Sequence, residues 1–216
     1  MTPIRTFAQG ALQDAAATMT VAVIAAMAMT TTVAAADDGA AGTSIAAAAA
    51  PANSPERVAI CYNYGCYDKA EMEFSSWQLE YLENMFLGTG DAEAERKILG
   101  HAIGRMYNFA GEKTPIWRDH GGNLNDDGVN GMMDCIDHTR NTSAFLALLK
   151  RNGLLRFHDV SPPLRRRMLV ADHWTARVSD TSTRAEFAVD AWYFEPGEPA
   201  SVMPIEDWMF GKDPRD

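Results

Sequence analysis

The sequence predicts an α+β domain with helices packed on an antiparallel sheet, and three observations carry that expectation. Apolar residues between Lys69 and Arg151 recur at helical spacing. Two segments rich in β-branched and aromatic residues, HWTARV from His173 and EFAVDAWYF from Glu186, come after Pro162-Pro163. The helices precede the strands, an order typical of α+β architecture. A chain of 216 residues, 47% hydrophobic and 22% charged, can bury a core of this kind.

The first fifty residues are read as lying outside that fold. They are Ala-rich, with Arg5 near the start, an apolar stretch from Val21 to Met29, and small residues Val33-Ala34-Ala35-Ala36 before Asp37. That order is the secretory signal pattern, so residues 1–36 are expected to be a signal peptide, with an uncleaved anchor or an Ala-rich helix as the alternative. Residues 37–55 are nearly all small or polar and read as a disordered linker, which leaves 56–216 as a single domain. The expected location is the bacterial periplasm.

Formal net charge is -10, from 29 acids and 19 bases. Residues 1–36 hold one base, Arg5, and one acid, Asp14, so the acidity belongs to the domain. A surface of this sign argues against nucleic acid as a partner, because polyanions are held by Lys and Arg. After the N-terminal region no run of 18 strongly apolar residues occurs, so no membrane association is expected beyond the export signal.

Within the domain, Cys61 and Cys66 stand five apart in CYNYGC, and an oxidising compartment makes them a disulfide. Cys135 is then the odd thiol. Phe74, Trp77, Tyr81, Leu82 and Met85 mark a first helix over Lys69–Leu87, stopped by Gly88, whose aromatic stripe is read as core. Asp91 caps a second helix running to about Ala110, where Ile98, Leu99, Ala102, Ile103 and Met106 share a face and Glu93 precedes Lys97 by four. A Gly/Asn/Asp-rich loop fills Gly111–Met133. A third helix, Cys135–Arg151, carries Ala144, Phe145, Leu148 and Leu149 and ends at Gly153. HWTARV and EFAVDAWYF then form a hairpin around Ser179–Arg184.

The chemistry follows from that hairpin. With Val178 opposite Ala185, His173 falls directly opposite Asp190, close enough for the carboxylate to hold an imidazole N–H and fix its tautomer. His173 and Asp190 thereby become a base and its orienter, lacking only a nucleophile. Cys135 opens a helix, where free N–H groups and a partial positive charge favour thiolate. The neighbouring Asp134 works against that, unless it turns away as the helix cap.

Taken together, GMMDCIDHTRNTSAFLALLKRNG, DHWTARV and EFAVDAWYF resemble the core of the transglutaminase-like branch of the papain-like cysteine protease superfamily. The resemblance covers about Gly131 to Phe194. It implies a papain-like α+β core in which Cys135 is the nucleophile at a helix N-terminus and His173 and Asp190 lie on adjacent strands. The implied activity is that of a thiol hydrolase or acyltransferase acting on amides through a thioester. More narrowly, DCIDHTRNT with HW and VD-x-W is similar to exported bacterial proteins of uncharacterised substrate. The chain departs from the commoner pattern in having Asp134 before the Cys, no aromatic after it, and VDAW where many members have Pro-Thr. The Cys135 N–H is the first oxyanion donor, with the side chains of Asn130 and Asn123 as candidates for the second. Trp192, two residues from Asp190, is a candidate to line the substrate cleft.

Other readings of the same residues stand beside the triad. Asn123, Asn125, Asp127 and Asp134 occupy positions 1, 3, 5 and 12 of a partial calcium loop, against a plain Gly/Asn/Asp turn. Asp134, Cys135, Asp137 and His138, with His173, can be written as a metal cluster, against a reading in which no metal is needed and His138 sits on the helix surface or in an outer layer. A binding module on the same fold, using Trp174, Trp192 and Trp208, is the non-catalytic alternative. Peptide, or peptidoglycan stem peptide, is the expected partner, chosen from the compartment.

Overall fold

The computed structural model describes residues 55–167 and 172–215. The expected signal segment, and the linker up to residue 54, lie outside the described residues. The described chain is α+β: four helices with one two-stranded and one four-stranded antiparallel sheet.

The N-terminal sheet corrects the first helix. Glu56–Tyr62 (β1) pairs with Asp68–Phe74 (β2), so Phe74 is a strand residue. The physical reason is a two-residue alternation: Met72 and Phe74 turn inward while Lys69, Glu71 and Glu73 face outward. Ser75 ends the strand and opens α1 (Ser76–Phe86) through a capping box with Gln78. The aromatic stripe is core only in part: Phe74 and Leu82 are buried, while Trp77 and Tyr81 are exposed. Leu79, Leu82 and Phe86 are buried, whereas Trp77 is 58% exposed and packs edge-on against Phe109.

The next two helices match the expected boundaries. Asp91 caps α2 (Ala92–Gly111) by accepting from the Ala94 N–H, and Glu93 pairs with Lys97 at 2.7 Å. A short 3-10 helix, Pro115–Arg118, leads into the Gly/Asn/Asp loop. Next, α3 (Cys135–Arg151) packs against both β1 and the main sheet, and Phe74, Phe145, Ile60 and Val178 share one core.

The main sheet has strand order β3 (His158–Arg166), β4 (His173–Asp180), β5 (Glu186–Asp190), β6 (Ser201–Pro204). β3 runs through Pro162-Pro163, which sequence reading took as a break. Its place at the sheet edge, with a register irregularity between Ser161 and Leu164, accommodates both prolines. The approach to β6 lies directly on α2: a Cβ at Gly100 would sit 2.5 Å from the Ala200 carbonyl oxygen, and one at Gly104 2.3 Å from that of Glu198. Beyond β6, α4 (Ile205–Met209) packs against β5 and β6 and carries the buried Trp208. Among the described residues no helix is long and apolar enough to cross a membrane.

The hairpin register differs from the expected one. Val178 pairs with Phe187 and Ser179 with Glu186, a displacement of two residues. Asp180 causes it: its side chain accepts from the Ser182 and Thr183 N–H groups, and Arg184 turns left-handed (φ 64°), so four residues close the turn. Because side chains alternate with period two, the displacement leaves His173 and Asp190 on one face.

Candidate active site

His173 and Asp190 meet on the diagonal rather than directly across. The His173 Nε2–H donates to Asp190 Oδ2 at 2.7 Å, with His173 5% and Asp190 3% exposed. Asp190 is held by two further donors, Trp208 Nε1–H to Oδ2 at 2.8 Å and the Trp192 N–H to Oδ1 at 3.1 Å. Three rings surround the imidazole: Trp208 stacks on it at 5.6 Å, and Trp192 and Tyr193 stand at 5.0 and 5.4 Å. With Nε2 committed to Asp190, Nδ1 is the nitrogen left for chemistry.

Cys135 is the first residue of α3 and the free cysteine among the described residues, where Cys61 and Cys66 form the expected disulfide. Asp134 is the helix cap. Its Oδ1 accepts from the Ile136 and Asp137 N–H groups at 3.0 and 2.9 Å, and its Oδ2 from the Gly65 N–H at 3.0 Å. Asp137 returns the contact, taking the Asp134 N–H at 3.2 Å and the Cys66 N–H at 2.5 Å. The disulfide loop is therefore hydrogen-bonded to the helix end that carries the thiol. Asn63, Tyr64, Gly65 and Cys66 are all left-handed, with φ between 59° and 66°. For three non-glycine residues that conformation costs roughly 1–2 kcal/mol each, which the disulfide and these bonds offset.

The sulfur lies against the backbone that flanks His173. It meets the Asp172 carbonyl oxygen at 3.9 Å, and the Trp174 N–H points at it from the other side of His173 in sequence. The helix terminus does not win the contest over its proton. Burial pushes the Cys135 thiol up to about 11, the Asp134 and Asp190 carboxylates add to the rise, and the Trp174 N–H offsets only part of it. Burial therefore favours the neutral thiol, where the helix terminus alone favours thiolate.

Cys135 and His173 open into one cleft of about 400 Å³, which Tyr64, Leu124, Arg166, Trp192 and Tyr193 also line. Trp192 is thus where the sequence placed it. The side-chain oxyanion candidates are arranged otherwise. Asn130 is exposed and accepts from Asn63, and Asn123, though in the cleft wall, directs its amide nitrogen to Asp119 and Asp126 at 3.1 and 2.6 Å. Of the N–H groups in the first turn of α3, Ile136 and Asp137 are engaged by Asp134, and Cys135 supplies the remaining one.

The calcium-loop residues do not act together: Asp134 caps α3, Asn123 is turned to Asp119 and Asp126, and Asn125 and Asp127 are exposed. The cluster of Asp134, Cys135, Asp137, His138 and His173 does not form as a ligand set either. His138 is buried and donates its Nε2–H to Asp119 at 2.8 Å, which corrects its reading as a helix-surface residue. The one ligand-like group among the described residues is Cys61, Cys66 and Asp137, and its two sulfurs are joined to each other.

Tyr64, Arg166 and Tyr193 escaped sequence reading as site residues, and Trp208 entered it only as a contact of the binding-module alternative. For Tyr64 a signal existed in its position inside the disulfide loop. The others follow from sheet order and the packing of α4, which no local pattern encodes.

Comparison with known proteins returns no match: no family model fits the chain, no curated protein is similar to it, and no solved structure is similar to it.

Proposed function

We propose that this protein is a thiol hydrolase acting on amide bonds, on a papain-like, transglutaminase-like core. The observation that carries the reading is the His173 Nε2–Asp190 bond, which leaves Nδ1 uncommitted in a residue that lines one cleft with Cys135. The raised thiol pKa favours proton transfer during attack over a preformed ion pair. As Cys135 Sγ bonds to the carbonyl carbon, its proton passes to His173 Nδ1, and the oxyanion that forms lies at the helix terminus beside the Cys135 N–H. The C–N bond then breaks, the amine leaves with the proton from His173, and a thioester remains. Water, deprotonated by His173, attacks the thioester and releases the acid and the thiol. Transfer to an amine instead of water is the acyltransferase form of the same steps.

The Cys61–Cys66 disulfide supports export to an oxidising compartment. A peptide, or the stem peptide of peptidoglycan, is the substrate class that fits such a location. The deciding experiment incubates the protein with a set of stem peptides and reads products and thioester adducts by mass. Product formation is expected with the native chain and none with Cys135→Ala. Unchanged turnover in Cys135→Ala or in His173→Ala would overturn the assignment.

A further inference from the structure

The cleft holds one ionic group whose donors are not used up. Its carboxylates are occupied: Asp134 accepts three backbone N–H groups, and Asp172 is ion-paired with Arg165. Arg166 is different. It pairs directly with His173 across β3 and β4, is only 5% exposed, and forms no ion pair among the described residues. A guanidinium has five N–H donors in a planar fork. One goes from Nη1 to the Trp208 carbonyl and one from Nη2 to the Tyr193 hydroxyl at 2.7 Å, while Nε is buried without a partner among the described residues. The group lies over the Trp208 ring at 4.6 Å, which stabilises its charge but satisfies no donor.

A buried cation with idle donors is costly, and the ligand that removes the cost is a carboxylate, which a guanidinium fork binds through parallel bonds. We infer that Arg166 receives a carboxylate of the substrate, so that the amide attacked by Cys135 belongs to a molecule carrying a free acid group next to the reacting bond. The inference rests on the proposed thiol chemistry and narrows its substrate class. In a protein of net charge -10, such a site stands against the overall field and selects for position rather than for charge alone.

Two alkylating reagents that differ only in charge test it. The rates of Cys135 labelling by iodoacetate and by iodoacetamide are measured on the disulfide-intact full chain, and their ratio is compared with that for free cysteine. The native ratio is expected to exceed that of free cysteine by about tenfold, the scale of one charge-assisted pair. Arg166→Gln should lose that preference, and Arg166→Lys should keep part of it. Equal ratios in the native protein and Arg166→Gln would overturn the inference and leave Arg166 as a brace for Trp208 and Tyr193.

Should Arg166→Gln fail to fold, protection of the native chain against iodoacetamide decides. Acetate must protect at lower concentration than acetamide, and equal protection would overturn the inference. Acetyl-alanine and acetyl-glutamate amide as protectants separate a main-chain carboxylate from a side-chain one. If neither reagent labels Cys135, the nucleophile reading fails by itself. Tryptophan fluorescence titrated with acetate against acetamide then reports on Arg166 independently, and no difference between them would overturn the site.

Discussion

Two buried histidines, His173 and His138, are held in the same way and have opposite prospects. Each gives its Nε2–H to an aspartate, at 2.7 Å for Asp190 and 2.8 Å for Asp119, and each aspartate takes further donors. His173 then opens into the cleft beside Cys135. His138, one turn along α3 from the same cysteine, is sealed: its Nδ1 is buried without a partner, and its surroundings are Tyr107, Asp119 and the α3 backbone. A histidine–aspartate bond is thus no mark of catalysis. What separates the two pairs is that His173 lines a cleft that Cys135 also lines, and His138 does not.

The largest expected difference between them lies in turnover. His173→Ala should lower amide hydrolysis by roughly 100-fold or more, the usual worth of a positioned general base. His138→Ala should leave the chemistry of the folded protein nearly intact while costing about 3 kcal/mol of stability, because Asp119 is stranded as a buried carboxylate. Urea denaturation beside a turnover assay reads both, and parallel losses in the two variants would break the comparison.

A finer version removes one hydrogen bond from each pair. Trp208→Phe keeps a ring over His173 but deletes the donor to Asp190, so turnover should fall about tenfold with about 1 kcal/mol lost in stability. Tyr107→Phe deletes the hydroxyl that donates to the His138 carbonyl, and should cost about 1 kcal/mol with turnover unmoved. A drop in turnover on the Tyr107 side would mean that the sealed pair also positions Cys135.

The remaining expected effect is one of pH. Burial, with the Asp134 carboxylate next to it, pushes the Asp137 carboxyl up to about 6. The folded protein therefore binds more protons than the unfolded chain between about pH 4 and pH 6, and this group's contribution to stability falls as pH rises through that window. Above it the contribution is flat. Denaturation midpoints of native protein and Asp137→Asn across the window check the sign, which would be refuted by a native midpoint rising more steeply than that of the variant.

The sequence disclosed α2, α3 and the face shared by His173 and Asp190 because each rests on local rules: Asp91 and Asp134 as caps, helical spacing, and alternation along strands. The hairpin register was missed by two residues, since the Asp180 side chain shortens the turn, yet period two preserved the pairing of the faces. β2 read as helix because Phe74 and Met85 also fit a helical spacing, and the alternation over Lys69–Phe74 was the better signal. Arg166 could not be found by pattern, and Trp208 was read only as a contact of a binding module, not as a partner of Asp190. They reach the site through edge pairing of a proline-bearing strand and the packing of α4 against β5 and β6.

The raised pKa of Cys135 bears on survival as well as on catalysis. Peroxides and disulfides react with thiolates, so a thiol that stays protonated at neutral pH resists conversion to sulfenic acid and mispairing with Cys61 or Cys66. An odd cysteine can in this way coexist with surroundings oxidising enough to keep its neighbours bridged, and spend its reactivity only when His173 takes the proton. Exposed to hydrogen peroxide at neutral pH, the folded protein should gain oxygen at Cys135 more slowly than free cysteine does, a difference that intact mass measures directly.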